Sequence, residues 1–135
     1  HCARLPGIEQ RHLSGDRVLR FVADTLKRFC KGGDTAARYG GEEFAILLPN
    51  TGLQGAASLA NGIRRGIAEA RLVKSKTNET LDKVTVSIGI AVYQSPEDIL
   101  DFVGRADRAL YAAKQSGRNR VITEEQLPAS ARRPG

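Results

Sequence analysis

The sequence predicts an α+β fold in which helices pack on one sheet. Three observations carry that prediction: apolar residues recur at helical spacing in three separate stretches, a glycine pair divides two extended runs, and one run of β-branched residues alternates strictly. Over residues 16–31, Val18, Val22, Leu26 and Phe29 fall on one helical face, and Gly32-Gly33 supplies the stop. Residues 34–39 and 43–48 then read as two short strands joined through Gly40-Gly41, a pair that tolerates the positive φ of a two-residue hairpin turn. Leu53, Ala56, Ala60, Ile63 and Ile67 mark a second amphipathic helix ending near Arg71, and the polar stretch 74–82 reads as a loop. Val84, Val86, Ile88, Ile90 and Val92 alternate with Thr85, Ser87, Gly89 and Ala91, so one face of this strand is expected to be buried. Ser95 is expected to cap a third helix with Pro96 at its first position, and the stripe Ile99, Val103, Ala106, Leu110, Ala113 carries it to Gly117. Residues 119–123 form a last strand. The order resembles a βαββαβ unit whose first strand is absent, with one domain over residues 1–123, N-terminally incomplete, and a flexible C-terminal tail over 124–135.

Composition narrows the function. With 135 residues, 41% of them hydrophobic and 27% charged, the chain can bury a core of its own. A membrane span needs about 18 consecutive apolar residues and an exported chain needs a leader, and neither pattern is found, so the domain reads as cytoplasmic. That reading leaves room for a membrane-anchored parent protein and implies no direct membrane contact by this chain. Cys2 and Cys30 have no metal-ligand spacing and are expected to be reduced. A net charge of +6 suits phosphate-bearing partners. It would suit nucleic acid too, but an aromatic content of 5% argues against a base-stacking binder, and no nucleic-acid partner is expected.

The residues that could carry chemistry cluster in a few places. Gly40 and Gly41 would let backbone approach a phosphate with no Cβ in the way, or would serve only as a tight turn. Glu42 and Glu43 are adjacent carboxylates, which repel each other unless a cation sits nearby; the bland alternative is a pair of solvated turn residues. Lys114 and Arg118 lie four apart and share one face at the end of the third helix, where they could reach a polyphosphate or merely complement the helix C-terminus. Asp16 opens the first helix and reads on its own as a cap.

At Gly40-Gly41-Glu42-Glu43-Phe44 the chain resembles the GGDEF family of diguanylate cyclases in its GGEEF variant. Four further blocks follow the family's order: Gly15-Asp16-Arg17-Val18-Leu19, Val86-Ser87-Ile88-Gly89, Ala106-Asp107-Arg108-Ala109-Leu110-Tyr111, and Ala113-Lys114-Gln115-Ser116-Gly117-Arg118-Asn119-Arg120. The resemblance covers residues 12–122. It implies a nucleotidyl-cyclase, ferredoxin-like sheet that condenses two GTP molecules into cyclic di-GMP and pyrophosphate across a homodimer, with Mg²⁺ or Mn²⁺. By the same resemblance Glu42 and Glu43 are the catalytic, metal-holding acids, Gly40, Gly41, Lys114 and Arg118 contact the triphosphate, and Asp16 reads guanine. An upstream sensory or regulatory domain is expected in the parent protein. The sequence also departs from the family. The Asp-x-Asp of its first strand is not present, Arg4 stands at the position of a phosphate-contacting Lys, and Gly7 stands at that of a guanine-binding Asn. At the inhibitory site Lys31 replaces the Arg of Arg-x-x-Asp while Asp34 keeps the acid, and the secondary Arg aligns with Gly62, with Arg64 and Arg65 close by. Weak or absent product inhibition is expected. The alternative is a catalytically degenerate GGDEF-like module that binds nucleotide or a protein partner.

Overall fold

The structure is a computed structural model that describes residues 2–5, 15–30, 33–40, 43–49, 51–69 and 84–127, with backbone alone for 2–5, 15–17 and 37–40. In chain order the elements are β1 (Cys2–Leu5), α1 (Gly15–Phe29), β2 (Thr35–Gly40), β3 (Glu43–Leu47), α2 (Leu53–Glu69), β4 (Ile88–Ala91), α3 (Ile99–Gln115), β5 (Val121–Thr123) and a 3-10 turn at Glu124–Gln126. The loop expected over 74–82 lies outside the described residues.

The first strand is present, which corrects the expectation of its absence. Cys2–Leu5 is the middle strand of a five-stranded sheet ordered β2-β3-β1-β4-β5, antiparallel to β3 and to β4. Its four residues carry no alternation and no β-branched side chain, so no strand signal stands in the sequence. What makes it a strand is the backbone on either side: β3 and β4 each have a ladder to satisfy, and this segment fills the gap between them. β5 runs parallel to β4, while β2 and β3 form the expected hairpin, with a register shift between Arg38 and Gly40.

Helices cover both faces. The larger core joins α1 and α2 to β3 and β4 through Val18, Val22, Leu26, Phe44, Ile46, Ile63, Ile67, Ile88 and Ile90. On the opposite face α3 packs on β1, β4 and β5, with Phe102 and Ala106 against Ala91. β4 is therefore buried on both sides, Ser87, Gly89 and Ala91 included, rather than on one as the alternation suggested. Gly89 explains how α3 comes so near: a Cβ there would lie 2.2 Å from the Leu110 backbone N and 2.4 Å from the Ala106 carbonyl O.

Other boundaries differ from expectation as well: β4 is shorter than the alternation from Val84 to Val92 suggested, and β5 starts at Val121 rather than Asn119. The third helix is capped by Asp98, whose carboxylate accepts from the Leu100 N–H at 2.8 Å, not by Ser95. The chain bends before the helix because Glu97 accepts from the Gln94 N–H at 2.9 Å and is drawn to Arg105. The fold also continues past Thr123, since Glu124 and Leu127 are buried. A flexible tail beginning at 124 is therefore corrected as far as Leu127; residues 128–135 lie outside the described ones.

Candidate functional site

Register places several of the expected site residues at one end of the sheet. Leu5 is level with Phe44, next to Glu43 and the hairpin turn, while Cys2 is level with Leu47 at the other end. β2 starts at that other end, where Thr35 pairs with Leu47. α1 finishes just before it, so the start of this helix, about 22 Å back along its axis, lies toward the hairpin turn. α3 runs antiparallel to β4: Phe102 meets Tyr93 at a ring-centroid distance of 5.5 Å, and Leu110 meets Gly89. Its last turn, with Lys114, is thus at the same end as Glu43.

Each candidate has a definite place. Asp16 lies in the first turn of α1, and Gly40 closes β2 opposite Glu43 in the ladder. Glu43 opens β3 and is partly buried. Lys114 is partly buried in the last turn of α3, where a cation suits the exposed carbonyls. Arg118 is exposed just beyond that helix. Gly41, Glu42 and Lys31 lie outside the described residues. Asp34 is partly buried beside Cys30; burial first, and then the Asp34 charge, pushes the Cys30 thiol above its ordinary value. Gly62, where the family's secondary inhibitory Arg would stand, faces Phe29: a Cβ there would come within 3.2 Å of that ring.

The turn that carries Arg118 has unusual backbone. Gly117, Arg118 and Asn119 take φ of 122°, 62° and 45° in succession. Left-handed backbone at a residue other than glycine costs about 1–2 kcal/mol, and Asn tolerates it better than most. Four contacts hold the turn in place. The Arg118 N–H donates to the Ala113 carbonyl at 2.9 Å, the Arg120 Nε donates to the Arg118 carbonyl at 3.0 Å, and the Ile88 N–H donates to the Arg120 carbonyl at 3.0 Å. The fourth spans the fold, from Arg64 Nη1 on α2 to Asn119 Oδ1 at 3.1 Å. Arg64 and Asn119 were not among the expected site residues; the sequence signal was the Gly-Arg-Asn run, suited to a left-handed turn.

A second polar cluster sits near the other end of α3. Arg105, 4% exposed, donates Nε to Glu97 Oε2 and Nη2 to the Val92 carbonyl, both at 2.8 Å, and binds Glu97 Oε1 and Glu124 Oε1 as well. These acids serve an internal cation, and among the described residues no group of three His, Cys, Asp or Glu side chains could hold a metal ion. Of the donor set expected at the hairpin, Glu43 lies among the described residues, and a carboxylate there suits a divalent ion that arrives with a nucleotide, since such ions are commonly held by one or two carboxylates plus substrate phosphates. β1 adds no carboxylate to that set. No helix among the described residues is long and apolar enough to cross a membrane.

Known proteins fit this architecture. Residues 11–120 match the family described as diguanylate cyclase, GGDEF domain. The chain is 38% identical to diguanylate cyclase VdcA of Vibrio cholerae over 82% of its length and 33% of that protein's. It is 44% identical to diguanylate cyclase DgcM of Escherichia coli over 82% of its length and 26% of that protein's, so it spans a third or less of these relatives. Among solved structures, the GGDEF domain of DgcB from Caulobacter crescentus in complex with c-di-GMP superposes with a TM-score of 0.84 at 36% identity, covering 93% of this chain and 78% of that one. The active GGEEF domain of a Vibrio cholerae diguanylate cyclase superposes with a TM-score of 0.79 at 32% identity, covering 93% and 83%. With the match extending over most of the chain in sequence and in fold, the protein belongs to the GGDEF domain family of diguanylate cyclases.

Proposed function

We propose that this domain is the catalytic part of a diguanylate cyclase, condensing two GTP molecules into cyclic di-GMP and pyrophosphate across a homodimer. The observation that carries the reading is the convergence of Glu43, Lys114 and the first turn of α1 at one end of the sheet, beside the Gly40 end of β2. Each group has a task there. Backbone at Gly40 and Gly41 can approach phosphate oxygens, Lys114 and Arg118 balance triphosphate charge, and the Asp16 carboxylate accepts from the N1–H and amino group of guanine. Glu42 and Glu43 would hold divalent metal, which when bound neutralises the triphosphate and polarises the attacked α-phosphorus. Glu42 also assists removal of the proton from the attacking 3′-hydroxyl. Lys31 in place of the inhibitory Arg, with Phe29 against Gly62, supports weak or absent product inhibition.

A second reading, a nucleotide-binding or partner-binding module without turnover, is favoured by one observation: Gly7 stands where the family has a guanine-binding Asn. A single substitution separates the two. Glu42→Ala in the parent protein should abolish cyclic di-GMP formation while leaving the melting temperature near that of the wild type. Unchanged product formation by that variant would sink the first reading, and GTP binding without turnover by the wild type would establish the second.

A further inference from the structure

We propose that Arg64 on α2, acting through Asn119, is a positioning residue that fixes Arg118 for its contact with the nucleotide triphosphate. The inference rests on the reading of Arg118 as a triphosphate contact and names the device that holds it there. Arg118 stands on a turn of three successive positive-φ residues, a conformation that a free loop would leave. Local bonds from Ala113 and Arg120 fix its start and its carbonyl, but both belong to the same stretch of chain. β4 ties the far side of the turn through the Ile88 N–H to the Arg120 carbonyl, and Arg64 is the long-range side-chain tie: its guanidinium is anchored on its own helix by Nε to Asn61 Oδ1 at 2.9 Å and reaches across 55 positions with Nη1 to Asn119 Oδ1 at 3.1 Å. The planar fork allows both bonds at once, which a lysine ammonium on a flexible stem does not reproduce. Asn119 follows Arg118 directly, so its side chain transmits the position of α2 to the phosphate-contacting residue. The groove between α2 and β5 that Arg64 and Arg120 line is not itself read as an anion site, because Arg64 bonds two asparagine oxygens and Arg120 bonds a carbonyl.

Asn119→Gly tests the tie without altering charge. Glycine keeps the φ of 45° available and removes only the acceptor, whereas Asn119→Asp keeps both the acceptor and tolerance of left-handed backbone. Calorimetric titration of the purified protein with GTP and Mg²⁺ should show Arg64→Ala and Asn119→Gly each weakening GTP binding by roughly tenfold, the scale set by losing one charge-assisted hydrogen bond. The double variant should be no weaker than either single one, and Asn119→Asp should bind as the wild type does; Arg64→Lys should restore the charge but not the affinity. Unchanged affinity in Asn119→Gly, with or without a lower melting temperature, overturns the proposal, because a merely structural bond would act on stability alone. Additive losses in the double variant overturn it as well, since Arg64 would then act by its charge. No GTP binding by the wild type would instead overturn the function proposed for the site, and the role of Arg118 with it.

Discussion

Replacing Gly89 with alanine tests how α3 is brought onto the sheet. The added Cβ would lie 2.2 Å from the Leu110 N, 2.4 Å from the Ala106 O and 2.7 Å from the Leu110 Cα, all of them backbone atoms. Ordinary contact begins at 3.4 Å, so helix and strand must separate by about 1.2 Å, the difference between 3.4 and 2.2. Side-chain rotation does not relieve it, because the three nearest atoms are all backbone. Overpacking of a close-packed interior costs about 1–3 kcal/mol, and a backbone clash belongs at the upper end. At roughly 4 °C per kcal/mol for a domain of this size, the melting temperature should fall by about 10 °C or more. Circular dichroism melts of Gly89→Ala and the wild type decide it, with Gly66→Ala as a control that meets only the Phe29 ring, at 3.9 Å. That control replaces glycine inside α2 and should raise stability by about 0.5–1 kcal/mol. A melting temperature for Gly89→Ala within the scatter of the wild type would refute the close-approach argument.

Other changes follow from the polar groups. Arg105→Met leaves Glu97 and Glu124 without their buried cation and should destabilise by about 3 kcal/mol, as loss of one member of a buried ion pair does; a urea midpoint equal to that of the wild type would contradict it. The Arg105 hydrogen bond holds the Glu97 carboxyl below its ordinary value of 4.5, so its stabilisation is complete above pH 4.5 and is lost as pH falls through the lower, folded-state value. Urea melts of the wild type should therefore weaken on acidification below pH 4.5, and this component should vanish in Arg105→Met. Asp98→Ala removes the α3 cap and should cost about 1 kcal/mol, read as a lower melting temperature with GTP affinity unchanged.

Much of the fold is legible in the residues. The helical stripes led by Val18 and Ala56, and the hairpin at Gly40, stand where the spacing put them because burial of one apolar face is a local, periodic signal. β1 was not legible, since Cys2–Leu5 becomes a strand only through what β3 and β4 require of it. The second buried face of β4 was hidden for a related reason: small residues such as Ser87, Gly89 and Ala91 read as an exposed face until α3 is known to lie on them. Ser95-Pro96 offered a good cap in sequence, but Glu97 pairs with Arg105 eight positions on, and that bond delays the helix to Ile99. The candidate site divides in the same way. Glu43, Lys114 and Arg118 stand out in the sequence as motif residues, whereas Arg64 and Asn119 show their connection only when α2 and the turn before β5 are folded together.

The activity proposed for the domain joins two GTP molecules. Incubating the parent protein with Mg²⁺ and an equal mixture of unlabelled and isotopically labelled GTP, then resolving the product by mass spectrometry, tests it directly. The expected product is cyclic di-GMP in which the mixed-label form outnumbers either single-label form, with pyrophosphate released alongside. Bound GTP recovered unchanged, with no dinucleotide, would contradict it.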